Sequence, residues 1–291
     1  RQAQLYYSLN NFQKAEVYFK NALKIESSLN GENSDDYILL LQNLANTYLN
    51  VYKFSSVDSI YQKMLPLLKT KNGETSIEYG LGLKSLADLQ KANGKEKEAL
   101  LNYNNAKGII KTAKGINDPN YLSILNSLAT INKQNLKFAE AEVLYSEMAD
   151  IYQNNNGSKS QEYAACINNL ATIYKAQNKF DQAEKLLEKT LKAYKSSVGQ
   201  KNTLYINTLS SLGGLYRSTG QYAKAEVTYE ESKKLLFESV GEKNIDYADL
   251  LNNIALLYDE IGKYDLAETN FKQSLTITKD ILSDKHPLYA T

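Results

Sequence analysis

Apolar residues recur along this chain at the spacing of one face of an α-helix. Leu41, Leu44, Ala45 and Tyr48 follow one another at steps of three, one and three residues. The same steps return near the end of the chain at Leu251, Ile254, Ala255 and Tyr258. Residues at these steps lie on one side of a helix. Since no alternating run indicates a strand, the pattern predicts an all-α fold.

A second kind of apolar segment follows each of these helices. It opens on an aromatic residue, has a small residue three positions later, and a large residue four positions after that. The aromatic positions are Phe12, Phe54, Phe138, Phe180, Tyr222 and Tyr264. The small positions are Ala15, Val57, Ala99, Ala141, Ala183, Ala225 and Ala267, and the large ones are Phe19, Tyr61, Tyr103, Tyr145, Leu187, Tyr229 and Phe271. This pattern predicts a second helix in which small residues pack against large ones.

Polar and glycine residues mark the ends of both helices. Short polar side chains stand where they can accept a hydrogen bond from the first helical turn, at Ser34, Ser76, Asp118, Ser160, Asn202 and Asn244. Pro119 and Pro287 occupy the next position, where a missing N–H costs nothing. Glycines that tolerate a positive φ end the second helix at Gly31, Gly73, Gly115, Gly157, Gly199 and Gly241. The turn inside each helix pair has residues of the same kind at Asn10, Gly94, Asn178, Gly220 and Gly262.

A tyrosine column sets the period of the whole pattern. Tyr37, Tyr79, Tyr121, Tyr163, Tyr205, Tyr247 and Tyr289 are each 42 residues apart. A fixed period of this size predicts a solenoid of about seven helix pairs that forms a single domain over residues 1–291. The repeats are 1–33, 34–75, 76–117, 118–159, 160–201, 202–243 and 244–285, and residues 286–291 begin a further, truncated repeat. We expect the tyrosine rings to pack in the core, with their hydroxyls at its rim.

These residues resemble a tetratricopeptide repeat. The stretch from Tyr247 to Leu275 reads YADLLNNIALLYDEIGKYDLAETNFKQSL, which is similar to the 42-residue variety of kinesin light chains and of many bacterial multi-repeat proteins. The resemblance favours a bacterial source. It implies a right-handed superhelix with the first helix of each pair on the concave face and the second on the convex face. Two positions depart from the pattern, Glu96 at an aromatic position and Val57 at a small one.

Composition and charge exclude several functions. A net charge of +1 gives no electrostatic reason to expect a nucleic-acid or membrane partner. Cys166 and His286 are the only residues of their kinds and lie in different repeats, so we expect no metal site, no cofactor and no catalytic pair. Cys166 takes a leucine position and is predicted to be a buried, inert thiol, while His286 falls at a helix start before Pro287.

The ends of the chain and its hydropathy suggest where the chain belongs. The absence of an apolar span and of a signal peptide predicts a cytoplasmic protein. The chain opens partway into a helix, and the repeat that begins at its end then stops, which suggests a fragment of a longer protein.

The face of each first helix opposite its apolar side should line a groove. One column of this face reads Gln42, Lys84, Asn126, Asn168, Ser210 and Asn252, and the next reads Asn43, Ser85, Ser127, Asn169, Ser211 and Asn253. Amides both donate to and accept from a peptide backbone, so the columns favour binding of an extended chain. The resemblance to kinesin light chains implies that Asn126, Asn168, Asn169, Asn252 and Asn253 contact such a peptide.

A basic column runs along the same groove face, at Lys91, Lys133, Lys175 and Arg217. Four cations in a nearly neutral chain suggest a preference for an acidic segment or a carboxylate terminus. The alternative is that each cation only stabilises the C-terminal end of its helix, which is worth about 0.3 to 1 kcal/mol.

Three functions are compatible with these patterns. The favoured one is a non-enzymatic scaffold that binds an extended, acidic peptide or a partner helix in its groove. The second is a regulatory or sensor arm of a larger bacterial enzyme, such as a caspase-like protease, a kinase or a transcription regulator. The third is a structural spacer that self-associates through its uncapped ends.

Overall fold

The computed structural model describes residues 1–282, and over this range every regular element is an α-helix. The chain divides into two compact units, Arg1–Asn135 and Leu136–Thr291. The all-α class and the repeating helix pairs are confirmed. The single-domain solenoid over residues 1–291 stays a prediction.

Unit 1 contains seven helices, and consecutive helices pack against each other. They are α1 Gln2–Ser8, α2 Phe12–Leu29, α3 Asp35–Asn50, α4 Phe54–Asn72, α5 Ile77–Ala92, α6 Glu96–Lys114 and α7 Pro119–Gln134. Unit 2 has seven helices within its described residues: α8 Phe138–Asn156, α9 Gln161–Ala176, α10 Phe180–Ser197, α11 Thr203–Ser218, α12 Tyr222–Val240, α13 Ile245–Glu260 and α14 Tyr264–Leu282. Odd-numbered helices are the first members of the predicted pairs, and even-numbered helices are the second members.

The predicted helix ends are confirmed. Each of the six polar cap residues accepts a hydrogen bond from a backbone N–H of the first turn, for example Ser34 Oγ from Tyr37 N at 3.1 Å. Pro119 is the first residue of α7. All six glycines that end the second helices have a positive φ, and so do the five residues predicted at the turns within pairs. His286, Pro287 and Tyr289 lie outside the described residues.

The predicted core positions are buried. Every small residue of the second helices is at most 3% exposed, including Val57. Five of the column tyrosines, Tyr37, Tyr121, Tyr163, Tyr205 and Tyr247, are buried as expected, and Tyr79 is partly buried. The Tyr247 ring lies 6.4 Å from the Phe237 ring of the preceding helix α12. The hydroxyl of Tyr37 donates to Glu32 and accepts from Lys63 at its rim. Ring burial with a satisfied hydroxyl is how tyrosine stabilises a packed helix interface.

A network of tyrosine, glutamate and lysine ties neighbouring pairs together. Glu16 of α2 accepts hydrogen bonds from Tyr48 Oη of α3 at 3.1 Å and from Lys53 Nζ at 2.9 Å. Lys53 also lies over the Tyr48 ring, 5.5 Å from its centroid. Unit 2 repeats the tyrosine–glutamate contact between Tyr174 and Glu142, at 2.8 Å. It does so again between Tyr216 and Glu184, at 3.0 Å. The sequence columns contained these residues, but periodicity alone did not pair them.

Glu16 is held in its ionised form by this network. Burial raises the pKa of its carboxyl, but hydrogen bonds from Lys20, Lys53 and Tyr48 outweigh burial and lower the pKa to about 2. Charge-assisted hydrogen bonds stabilise the folded state, more so when the acceptor is shielded from water. Glu16 is 17% exposed, which reduces screening by solvent.

We predict that Glu16→Gln lowers the free energy of unfolding by about 1 to 2 kcal/mol at pH 7, because the hydrogen bonds from Lys20, Lys53 and Tyr48 lose their ionised acceptor. The folded pKa of about 2 lies below the ordinary 4.5, so the stabilisation is complete above pH 4.5 and is lost as the pH falls through 2. Urea unfolding of both proteins from pH 7 to pH 2 measures this difference. The exposed Glu98→Gln of α6 is the matched control, and equal effects of the two substitutions would contradict the prediction.

Two turn residues carry strain that the sequence did not predict. Tyr52 and Leu136 both have a φ of 58°, at turn positions where other repeats have glycine or asparagine. Leu136 is 71% exposed, so its side chain gains little burial in return. A non-glycine residue in this region costs about 1 to 3 kcal/mol.

Leu136→Gly should therefore raise the stability of the protein by about 0.5 to 1 kcal/mol, since glycine adopts this φ freely but also loses more entropy on folding. Leu101, 63% exposed within α6, provides a control of opposite sign. Leu101→Gly should destabilise by about 0.5 to 1 kcal/mol. Thermal unfolding, monitored by circular dichroism, distinguishes the effects of Leu136→Gly and Leu101→Gly. A loss of stability in both variants would refute strain at Leu136.

Candidate functional site

The predicted groove residues lie on first helices of both units. Unit 1 contains Lys84 and Lys91 on α5 and Asn126 and Lys133 on α7. Unit 2 contains six more: Asn168, Asn169 and Lys175 on α9, Arg217 on α11, and Asn252 and Asn253 on α13. Asn126 is exposed and the other nine are partly buried, so all ten retain contact with solvent. Their role in binding stays a prediction, and the two units are described separately.

In unit 1, Lys84 is engaged by its own helix. Its Nζ donates to Asp88 Oδ2 at 2.8 Å, and Asp88 Oδ1 accepts from Tyr103 Oη at 2.6 Å. Burial, followed by the hydrogen bond to Asp88, raises the pKa of Tyr103, so its hydroxyl remains a donor. This pairing leaves Lys84 less able to serve a ligand than its column position suggested, because its charge is already compensated. Burial also lowers the pKa of Lys133 on α7.

In unit 2, the two asparagines of α9 differ in how they are satisfied. Asn169 Nδ2 donates to the Ala165 carbonyl of its own helix at 3.0 Å. Asn168 Oδ1 is shielded from solvent and has no hydrogen-bond partner among the described residues. A buried acceptor left unpaired costs about 1 to 3 kcal/mol. Asn168 Oδ1 is therefore a polar atom of the groove columns that the folded protein leaves without a partner.

Cationic and hydroxyl groups converge around Gly214 of α11. A β-carbon at Gly214 would lie 3.4 Å from Lys175 Nζ and 3.3 Å from Tyr229 Oη. Arg217 stands on the same helix, and its Nη1 lies 3.5 Å from Glu260 Oε1. We call Lys175, Gly214, Arg217 and Tyr229 the Gly214 cluster. It places three donor side chains next to a helix surface that has no side chain of its own.

The charges of the Gly214 cluster are not fully compensated. Burial, with a further contribution from the Arg217 charge, lowers the pKa of Lys175. Burial also raises the pKa of Tyr229, which Arg217 opposes. Two neighbouring cations that are partly removed from water are stabilised when an anion approaches, because the charge of the anion offsets both their repulsion and their lost hydration.

The helix-end alternative has structural support as well. Lys91, Lys133, Lys175 and Arg217 each lie in the last turn of their helix. A cation at this position stabilises the helix whether or not a ligand binds. Capping alone does not require the desolvated, like-charged neighbourhood of Lys175, since an exposed lysine would interact with the helix dipole without that cost.

Other chemistry-bearing residues are accounted for by packing. Cys166 is buried, as predicted, and burial raises its thiol pKa to about 12, so the thiol is protonated at neutral pH. Within residues 1–282, no group of histidine, cysteine, aspartate and glutamate side chains has the arrangement of a metal site. Over the same range, no helix combines the length and apolar character needed to cross a membrane.

Comparison with known proteins identifies the family. A tetratricopeptide repeat model matches residues 120–196 and 204–280, more than half of the chain, and a second such model matches residues 1–28. The chain belongs to the tetratricopeptide repeat family. A comparison with curated proteins found no match. Both matched models describe a repeat rather than a catalytic domain.

Solved structures show the same fold. BtubC (BKLC) from P. vanneervenii is 21% identical with a TM-score of 0.62, covering 81% of this chain and 92% of that one. A putative kinesin light chain repeat protein from Podosopora anserina is 18% identical with a TM-score of 0.59, covering 71% and 98%. A tetratricopeptide repeat protein from Parabacteroides merdae is 17% identical with a TM-score of 0.61, covering 100% and 96%. The predicted resemblance to kinesin light chain repeats is confirmed at the level of fold. Membership of the tetratricopeptide repeat family is consistent with a scaffold for protein–protein interaction.

Sequence reasoning missed Tyr229 and Gly214 as parts of the site. Tyr229 was interpreted only as the large core residue of α12, which it is, since it is 1% exposed. Its hydroxyl reaches α11 because Gly214 occupies a column that elsewhere reads Asn46, Asp88, Thr130, Thr172 and Leu256. That missing side chain was visible in the aligned repeats and could have identified the cluster.

The position of Tyr229 can be tested through the glycine beside it. A β-carbon at Gly213 would lie 2.8 Å from Tyr229 Cδ1, so Gly213→Ala must displace the ring. We expect a loss of about 1 to 3 kcal/mol in the free energy of unfolding. Gly108→Ala is the control, because nothing lies within 4 Å of its β-carbon position. It should stabilise the protein by about 1 kcal/mol through helix propensity. A stabilised Gly213→Ala, measured by urea unfolding, would show that the ring lies elsewhere.

Proposed function

We propose that this protein is a non-enzymatic scaffold that binds an extended acidic peptide along the first helices, with the Gly214 cluster of unit 2 as a contact for a carboxylate. The observation that carries the proposal is the convergence of Lys175, Arg217 and Tyr229 Oη beside a glycine. Guanidinium, ammonium and phenol groups are all hydrogen-bond donors, and carboxylates accept from each of them.

The amides of α9 support a contact with the peptide backbone. Asn168 Oδ1 is an unsatisfied acceptor on the same helix as Lys175, two turns earlier in the chain. Because this oxygen is shielded from solvent in the free protein, the side chain must turn toward the groove on binding, and a peptide N–H then satisfies it whatever the side chains of the peptide. In this proposal the amide sets the path of the chain, and the cations select its charge. The roles of Asn126, Asn252 and Asn253 are proposed by the same reasoning.

Two alternatives remain as predictions, the regulatory arm of a larger enzyme and the self-associating spacer. Neither is favoured by a particular contact among the described residues. The neighbouring cations Lys175 and Arg217 at Gly214 favour a ligand of opposite charge, and they therefore support the scaffold function.

The proposal predicts a charge-selective loss of binding. The protein is screened against an array of random twelve-residue peptides, and the affinity for the strongest acidic binder is measured by fluorescence anisotropy. The double variant Lys175→Ser with Arg217→Ser should bind that peptide about 10 to 100 times more weakly, since each charge-assisted hydrogen bond contributes about 1.5 to 3 kcal/mol in part offset by desolvation.

The matched control changes two exposed cations of α10, Lys185→Ser with Lys192→Ser, and keeps the same net charge as the test variant. Its affinity should stay within about twofold of the unmodified protein, because exposed distant charges are screened by salt. An equal loss in both double variants would indicate nonspecific attraction. Unchanged binding in the Lys175→Ser, Arg217→Ser variant would show that the Gly214 cluster has no part in binding.

A further inference from the structure

A cavity of about 220 Å³ lies in unit 2 between α11, α12 and α13. It is far larger than the space for one water molecule, so it can hold a side chain. Its walls differ in character. The apolar lining residues are Ile206, Leu236 and Leu250, and the polar ones are Asn207, Ser210, Ser232, Asp246, Asp249 and Asn253.

The polar lining is acidic and is not neutralised from within. Asp246 and Asp249 stand three residues apart on α13, and neither forms an ion pair with a described residue. Asp249 is an exposed residue, and the partial burial of its carboxyl, followed by the Asp246 charge, raises its pKa. Ser232 is already satisfied, because its hydroxyl donates to the Ile206 carbonyl at 3.2 Å. The cavity therefore combines two carboxylates with the amides of Asn207 and Asn253.

Comparison between repeats shows that the helical framework does not require this acidity. Asp246 has a structural role at the start of α13, where a carboxylate complements the helix dipole. Asp249 has no such role. Its column reads Leu39, Leu81, Ser123, Ala165 and Asn207 in the preceding repeats, so the same fold forms there without a carboxylate. The charge at Asp249 is a feature of this cavity alone.

We propose that the cavity binds the side chain of an arginine from the protein ligand. The apolar walls suit the methylene stem of arginine, which buries well while its charged end stays among polar groups. The planar guanidinium has five donors, enough for both carboxylates and for the amide oxygens of Asn207 and Asn253. A lysine would bring three donors and a more strongly hydrated charge, so arginine fits this lining better.

This inference rests on the proposed function, in which the Gly214 cluster binds a carboxylate of the same ligand. The arginine pocket adds a second determinant of specificity. Ser210 at the cavity and Arg217 of the Gly214 cluster are seven residues apart on α11, about 10 Å along the helix axis. Unit 2 thus offers an acidic pocket along the first half of α11 and a basic cluster at the C-terminal end of the same helix. A ligand that fits both presents an arginine and a carboxylate about 10 Å apart.

The cavity is tested with a probe that has no acidic group. N-acetyl-L-arginine amide is titrated into the whole protein, and the side-chain amide signals of Asn207 and Asn253 are followed by NMR. The expected result is saturable binding, with no response to N-acetyl-L-glutamine amide. Asp249→Asn should weaken binding at least fivefold, whereas Asp259→Asn, which removes an exposed carboxylate at the other end of α13, should leave it unchanged.

A second variant keeps the test decisive if Asp249→Asn disturbs folding, which thermal unfolding would show. Ser210→Lys places a cation of the protein itself in the cavity and should abolish binding of the probe. Absence of saturable binding, equal affinity of the Asp249→Asn and Asp259→Asn variants, or saturation of the same signals by Ca²⁺ instead of the probe would overturn the proposal. Because the probe does not engage the Gly214 cluster, this result is independent of the acidic-peptide measurement.

Discussion

In the second helix of each pair, a small residue is buried at one fixed position. The rest of the structure depends on this constraint. These positions are at most 3% exposed, and six of the seven large residues four positions later are buried as well, with Phe271 partly buried. A larger side chain there would force the helices of a pair apart, and packed interiors tolerate such changes poorly. Because each pair obeys the same rule, an insertion would rotate one groove face away from the next. The 42-residue period keeps the polar columns in register.

Local signals in the sequence were sufficient for the fold. Helix starts, cap residues and the glycines at positive φ depend on a few neighbouring residues, so Ser34 and Gly73 could be assigned without a structure. Contacts between helices could not. Glu16 accepts a hydrogen bond from Tyr48, 32 residues away, and Lys84 pairs with Asp88 of its own helix, because rotamers and interhelical distances decide these pairs. Strain at Leu136 was missed for a similar reason, since the fold imposes a backbone angle that leucine alone disfavours.

The two units differ in how the polar residues of the predicted groove are paired within the protein. In unit 1, the lysine of the amide column pairs with Asp88, which is held in turn by Tyr103. In unit 2, Asn168 Oδ1 lacks a partner, Lys175 is desolvated beside Arg217, and an acidic cavity adjoins Ser210. Unsatisfied polar groups destabilise the free protein, and a partner that supplies the missing hydrogen bonds removes this penalty when it binds. This contrast is why the proposed ligand contacts concentrate in α9, α11 and α13.

In the proposed complex, a carboxylate of the ligand lies against the Gly214 cluster, on the first-helix face of unit 2. A crystal structure of the protein with its strongest-binding acidic peptide tests this most directly. The account predicts a peptide carboxylate within hydrogen-bond distance of Lys175 Nζ or the Arg217 guanidinium, and a peptide N–H on Asn168 Oδ1. A peptide bound on the second helices instead, with Lys175 and Arg217 contacting only Glu260 and solvent, would contradict it.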